Sequence, residues 1–145
     1  MPTALDRLQM VQRGEVPPPA VARLIGFSLA AVEAGRAIVR LDAGPRHANP
    51  MGTVHGGVLC DIADAAMGIA YAAGLEEGET FTTLELKINF LKPVRAGALT
   101  ATGRVVKSGR TIGLVECDIT DEEQRLVARA SSTCMTLAGK LAQGR

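Results

Sequence analysis

The feature that most restricts how this chain can fold is a turn followed by a helix with almost no polar face. From residue 47 to 57 the sequence runs His-Ala-Asn-Pro-Met-Gly-Thr-Val-His-Gly-Gly, and Pro50, Gly52, Gly56 and Gly57 rule out regular structure across it. From Val58 to Ala73 there is no proline, alanine dominates, and Asp61 and Asp64 are the only charges, which predicts a helix over about 57–73. Stepping by three and four residues, Gly57, Asp61, Asp64, Gly68 and Tyr71 fall along one stripe, while Leu59, Ile62, Ala63, Ala66, Ile69, Ala70 and Ala73 fall on the other side. Both flanks are small or apolar, so protein must wrap this helix nearly all round, and its Ala and Gly content suits close approach to a sheet. A membrane span is disfavoured, because each aspartate near the centre would cost about 2.5 to 3.5 kcal/mol on insertion.

The first-turn amides of such a helix have no intrahelical partner and carry the positive end of its dipole, so Gly56 and Gly57 form a candidate oxyanion site that needs no side chain. Asp61 reads most simply as an acid near the helix start that complements the dipole. Asp64 lies about two turns in, roughly 10 Å along the axis. A carboxylate there is beyond the dipole and calls for a functional explanation. It shares a stripe with the Gly56-Gly57 turn, and a carbonyl whose oxygen the first-turn amides hold is expected to place its carbon within reach of Asp64, directly or through one water.

Around this centre the chain reads as strands. Leu5, Leu8, Met10 and Val11 predict an amphipathic helix over about 4–13, stopped by Gly14 and Pro17-Pro18-Pro19, and Ala20 to Ile25 adds a turn. Two short strands, 27–32 and 37–41, flank a hairpin connection at Glu33-Ala34-Gly35-Arg36. After the helix, with Gly74 well placed for a left-handed cap, the period changes to two. In 82–90, Leu84, Leu86, Ile88 and Phe90 point one way and Thr83, Glu85, Lys87 and Asn89 the other. Strands at 98–106, 111–120 and 126–137 follow, with hairpin-length links, and the four are expected to form an antiparallel meander. A face that large needs a cover, and only the central helix is large and apolar enough to supply it.

The 145 residues fit a single domain, 1–145, with no repeat and no second boundary. With 16 basic and 15 acidic residues the net charge is +1, and no cationic run offers an electrostatic handle for nucleic acid. Cys60, Cys117 and Cys134 are odd in number and widely spaced in apolar surroundings, which matches neither a zinc site nor a redox pair and suits a reducing cytoplasm. The N-terminus has no apolar run of an export signal. No metal site is expected, since the eight-residue spacing of His47 and His55 in a Gly/Pro loop fixes no geometry. A serine triad is not suggested either, as no Gly-x-Ser-x-Gly elbow occurs.

Asn49, His55-Gly56-Gly57 and Asp64, followed by Thr83 and then Phe90-Leu-Lys-Pro93, resemble the hot-dog fold acyl-CoA thioesterases, in the group with phenylacetate-pathway (PaaI-like) and 4-hydroxybenzoyl-CoA thioesterases. An Asn six residues before the His, an acid nine after it and a Lys-Pro closing the next strand make the pattern specific. The resemblance covers roughly residues 20 to 138. It implies an α+β hot-dog fold, a curved antiparallel sheet of about six strands wrapped round one long central helix. It also implies a homodimer whose sheets join edge to edge, often a homotetramer, with active sites between subunits. The implied reaction is hydrolysis of an acyl-CoA, including aryl- or phenylacetyl-type esters, to free acid and coenzyme A, without a cofactor.

By position, Asp64 would be the catalytic carboxylate, Gly56 would polarise the thioester carbonyl through its N–H, and Asn49 would orient water or the thioester. Thr83 of the partner subunit would hydrogen-bond the water or Asp64, and His55 would shape the turn. Gly57, Asp61 and Gly68 are candidates for the substrate pocket. Lys107 and Arg110, with Lys92 and Arg95, are candidates for the phosphates of CoA. Asp61 departs from the pattern, where an uncharged residue is expected. It would line the acyl pocket and favour a polar acyl group, or raise the pKa of Asp64 by like-charge repulsion. The rival readings of the same fold are an acyl-CoA binding module without turnover and a hydratase or dehydratase.

Overall fold

A computed structural model describes residues 1–145. Helix α1 (Ala4–Gln12) starts at a capping box in which Thr3 and Asp6 satisfy each other's orphan amides, and it packs on β1 (Phe27–Glu33) after the short α2 (Ala20–Ile25). Strand β2 (Arg36–Ala43) returns antiparallel through the hairpin, where Gly35 takes the left-handed φ of 79° that the tight turn requires. A 3-10 turn, Pro45–His47, and the Gly/Pro loop then lead into α3 (Gly56–Ala72). Strands β3 (Thr80–Phe90), β4 (Gly97–Ser108), β5 (Ile112–Thr120) and β6 (Leu126–Leu137) complete the molecule. All pairings are antiparallel in one six-stranded sheet, and α3 contacts every strand. No helix is long and apolar enough to cross a membrane.

The expected four-strand meander is corrected. The strand order is β1-β2-β4-β5-β6-β3, so β4 pairs with β2, and β3 crosses to the far edge to pair with β6. Only β4, β5 and β6 form a meander. Gly74 is a second correction: α3 ends through Ala73 in the right-handed region, and Gly78, at φ 79°, is the left-handed glycine of that connection.

A third correction concerns the faces of β3. A bulge between Thr83 and Glu85 adds one residue opposite β6 and leaves Leu84 54% exposed. Thr83 then pairs with buried Cys134, while Glu85 pairs with Thr133 and accepts its hydroxyl hydrogen bond at 2.9 Å. Directly opposed residues share a face. Thr83 therefore sits on the inner side with Leu86 and Ile88, apart from Glu85, Lys87 and Asn89.

The core lies between the concave face of the sheet and one side of α3, where Leu59, Ile62, Ala63, Ala66, Met67 and Ala70 are buried with Val39, Leu99, Val115 and Ile119. The contact is close enough to involve the main chain. A Cβ on Gly103 of β4 would strike the carbonyl of Ala66 and lie 2.9 Å from the Met67 nitrogen. At Gly113 it would strike the buried Tyr71 ring. Tyr71, placed by period on the polar stripe, is inside, with its hydroxyl 2.6 Å from Thr136 Oγ1. Burial also raises the thiols, Cys117 up to about 12 with a further push from Asp118. All three cysteines are free.

Candidate active site

The loop before α3 is held by its own polar groups. The buried His47 accepts the Gly44 N–H at Nδ1 (3.1 Å), so its ring proton is on Nε2, which donates to the Ile25 carbonyl at 2.7 Å. Asn49 Oδ1 accepts the N–H groups of Met51 and Thr53 at 3.0 and 3.1 Å, and Nδ2 donates to Thr53 Oγ1 at 2.8 Å. The Asn49 amide thus folds its loop into an Asx turn, with one N–H left over. His55 is the N-cap of α3, and its Nδ1 accepts the Gly57 N–H at 2.8 Å.

One donor of this turn stays free. The Gly56 N–H has no acceptor in the chain, whereas the Gly57 N–H is taken by His55. Gly56 faces the Phe90 ring, which a Cβ would approach to 3.0 Å, and both line a cavity of about 380 Å³ with Asn49, Leu59 and Pro93.

Asp61 and Asp64 open into a second cavity, also about 380 Å³, whose other walls are apolar. Gly68, Ile69, Phe27 and Phe81 line it, and Leu8 of α1 closes it. Gly68 is small for a reason, since a Cβ would lie 3.3 Å from Phe81. Asp64 stays exposed to solvent on one side, and the protein packed on its other side raises its pKa by displacing water, with a smaller push in the same direction from the Asp61 charge. Neither carboxylate meets a cation or a donor of the chain. Asp61 is the sixth residue of α3, and no acid stands in the first turn, so the dipole reading of Asp61 is corrected.

The same helix geometry corrects the expected reach of Asp64. Gly56 and Asp64 are eight residues apart on α3, about 80° round the helix and about 12 Å along its axis. Within one chain they cannot touch the two ends of one carbonyl. The structure thus brings Asp61, Asp64 and Gly68 together, and separately Asn49, His55, Gly56 and Gly57. Thr83, moved inward by the bulge, reaches Cys134 Sγ at 3.8 Å, and the Cys134 thiol also feels the Asp64 charge.

The cations divide differently from expectation. Lys107 and Arg110 stand at the β4–β5 hairpin, where Arg110 lines a cleft of about 570 Å³ with Tyr71, Gly74, Glu76 and Glu79. That is the opposite end of α3, roughly 24 Å from Gly56. Lys92 is engaged, its Nζ 3.0 Å from Asp121. Although desolvation opposes it, donation from Arg125 main and side chains, Lys92 and the Glu123 N–H holds Asp121 well below the usual carboxylate range. This knot ties the segment after β3 beside the Gly56 turn, where Val94 O accepts the Val54 N–H at 2.7 Å. Arg95, exposed and without an ion-pair partner, lies against Gly52 of the Asn49 loop. No three His, Cys, Asp or Glu side chains converge as metal donors.

Sequence reasoning did not anticipate Leu8, Phe27 and Phe81 as pocket walls, nor Asp121 as an anchor. The amphipathic period of α1 was the only signal for Leu8. Of the two charge partners of Asp121, Arg125 is four residues on, while Lys92 comes from the segment after β3 and leaves no local trace.

A sheet curled round one helix, a free amide at the helix start and a carboxylate in an apolar pocket define the hot-dog class of thioester-processing proteins. Residues 51–128 match the model of the thioesterase superfamily. The chain is 34% identical to the 1,4-dihydroxy-2-naphthoyl-CoA hydrolase of Listeria monocytogenes serotype 1/2a (strain 10403S) over 109 residues, 75% of this chain and 89% of that one. It is 32% identical to the acyl-coenzyme A thioesterase PaaI of Escherichia coli (strain K12) over 110 residues, 75% and 76% of the two chains. Among solved structures, a phenylacetic acid degradation-related protein of Ralstonia eutropha JMP134 superposes with a TM-score of 0.80 at 35% identity, covering 88% of this chain and 98% of that one. This protein belongs to the thioesterase superfamily, and it is an enzyme that hydrolyses thioesters.

Proposed function

We propose that this protein hydrolyses an acyl-CoA to the free acid and CoA, at a site assembled from two copies of the chain. The observation that carries the reading is the separation within one chain of a free donor, the Gly56 N–H, from an unpartnered carboxylate, Asp64. Two helices from different subunits, passing side by side, bring one chain's Gly56 to the other's Asp64. The thioester oxygen then accepts from Gly56, and Asp64 takes a proton from the attacking water, or attacks directly. The CoA thiolate leaves without a metal, because it is a good leaving group. Thr83 supports the water, Asn49 and His55 hold the turn, and Gly57, Asp61 and Gly68 shape the acyl end. None of these steps uses a thiol, in keeping with the raised pKa of Cys60, caused first by burial and then by Asp61 and Asp64.

The edge strand β3, with exposed Leu84 and Phe90 and the neighbouring Leu91, supports an edge-to-edge dimer that can pair further into a tetramer. Arg95, with Lys107 and Arg110 of a neighbouring subunit, meets the phosphates of CoA. The whole span 1–145 acts as one thioesterase domain, and the free cysteines suit a cytoplasmic setting. The relatives act, by their names, on 1,4-dihydroxy-2-naphthoyl-CoA and on acyl-CoA. An aryl or phenylacetyl group fits an apolar cavity with two phenyl rings in its walls. Thiol release from a panel of aryl, short and long acyl-CoAs, with light scattering on the same sample, tests this reading. A monodisperse monomer with full activity would refute the shared site.

A further inference from the structure

Asp61 is left without a task by the reaction itself. It is too far into α3 to serve the helix dipole, it pairs with no cation, and no donor of the chain reaches it. It nevertheless opens into the acyl cavity, where Asp64 is the only other charged residue and Phe27, Phe81, Ile69 and Leu8 supply apolar wall. Asp61 is only partly buried and its oxygens reach solvent, so water occupies the place that a donor on a bound acyl group would take. Asp61 and Asp64 are three residues apart, which sets their Cβ atoms about 5 to 6 Å from each other. One bound acyl group can therefore meet both: Asp64 at the thioester carbon, Asp61 at a substituent several bonds further on.

We propose that Asp61 determines specificity at the acyl end, selecting acyl groups that carry a hydrogen-bond donor, a hydroxyl or an ammonium, and turning away those that end in a carboxylate. The inference rests on the thioesterase reading above. A donor on the acyl group gives Asp61 the direct hydrogen bond that no group of this chain supplies, and an ammonium adds ion pairing and the faces of two phenyl rings. A terminal carboxylate meets the negative charges of Asp61 and Asp64, which costs binding in ground and transition states alike.

The test compares hexanoyl-CoA with its terminal hydroxy, amino and carboxy derivatives, and phenylacetyl-CoA with the same groups in the para position, by thiol release. For the wild type, kcat/KM on a frame that reaches Asp61 should favour a donor-bearing ester over its parent by roughly tenfold or more, and disfavour the carboxy ester similarly. In Asp61→Asn these ratios should shrink to within about threefold, with the carboxy ester gaining in absolute rate, while the parent ester stays within about tenfold of wild type. Asp61→Ser, smaller and neutral, should shift the ratios in the same direction and serves if the first variant melts early. The proposal is overturned if the wild type treats the four groups alike on both frames, or if the neutral variants keep the wild-type ratios. Absence of thiol release from every ester by the wild type would instead defeat the thioesterase reading, and this inference with it.

Discussion

The turn before α3 and the middle of α3 handle polar groups in opposite ways. In the turn, the ring nitrogens of His47, the carbonyl oxygen and one N–H of the Asn49 amide, Nδ1 of His55 and the N–H of Gly57 are engaged, and among the main-chain donors the Gly56 N–H is left over. Two turns along the helix, Asp61 and Asp64 present acceptors with no local partner. The first region is built before a ligand arrives, so its free Gly56 N–H points where the loop puts it. The second is completed only by a ligand or by water. In the reaction proposed above, an acyl thioester would supply what each lacks: an acceptor oxygen for the turn, and a carbonyl carbon with its water for the pocket.

The sharpest way to break this contrast is at Asp64. Asp64→Asn keeps the shape and removes the proposed catalytic carboxylate, and kcat should fall at least roughly a hundredfold in a protein that still elutes as a folded oligomer. Gly56→Val should be equally damaging, because its side chain meets the Phe90 ring. Mixing the two inactive variants under subunit exchange should restore about a quarter of wild-type activity, since half of the dimers are mixed and one of their two sites is intact. No recovery after demonstrated exchange would place both groups in one chain's site.

A smaller effect is expected in the turn. Asn49→Ala strips three hydrogen bonds from the loop that aims Gly56, and kcat/KM should drop roughly tenfold without unfolding. A loss as large as that of Asp64→Asn would mean that Asn49 itself touches the substrate. Next comes pH. Desolvation first, and Asp61 second, raise the Asp64 pKa, so the acid limb of kcat/KM should lie above the ordinary aspartate range. Asp61→Asn should move that limb to lower pH, by less than the full displacement because only the lesser cause is removed. An unmoved or rising limb would detach Asp61 from the site's electrostatics.

The smallest signals are in stability, and they have opposite signs. A carboxylate with a raised folded pKa contributes stability at pH below its unfolded value and loses it as pH rises through the folded value. At neutral pH, Asp64→Asn should therefore melt at or slightly above the wild-type temperature. Asp121 is depressed, so its contribution is present above the ordinary aspartate pKa and fades as pH falls toward its folded value. Asp121→Asn should lower Tm at neutral pH, and the deficit should narrow in acid. Calorimetry of both variants at neutral and acid pH checks both signs.

Local patterns carried much of this architecture. The run of small residues in 58–73, the hairpin at Gly35 and the hairpin-linked strands at 111–120 and 126–137 each matched the element formed, because each depends on near neighbours in sequence. The place of β3 did not, because its partner is chosen by the crossover that carries the chain round α3, and nothing in residues 80–90 encodes β6. The bulge at Leu84 was hidden too, and with it the face of Thr83, since one inserted residue inverts a period of two. In the site, Asp64, Gly56 and the Asn49 loop were visible as a spaced motif. The separation of Gly56 from Asp64 became decisive only once the start of α3 was known, which also moved Asp61 out of the first turn.

The contact between Gly103 and the main chain of Ala66 has a consequence for how this enzyme can change. With no space there for even a methyl group, α3 is clamped to β4 at one point of its length, and neither can drift without breaking the other. The clamped side is closed to variation. A chain that must accept a new substrate has the opposite side of α3 and the loosely buried α1 to vary, and either can be redrawn while the spacing of Gly56 and Asp64 along α3 stays as it was. One glycine on a neighbouring strand thereby separates what this molecule can recognise from what it can do.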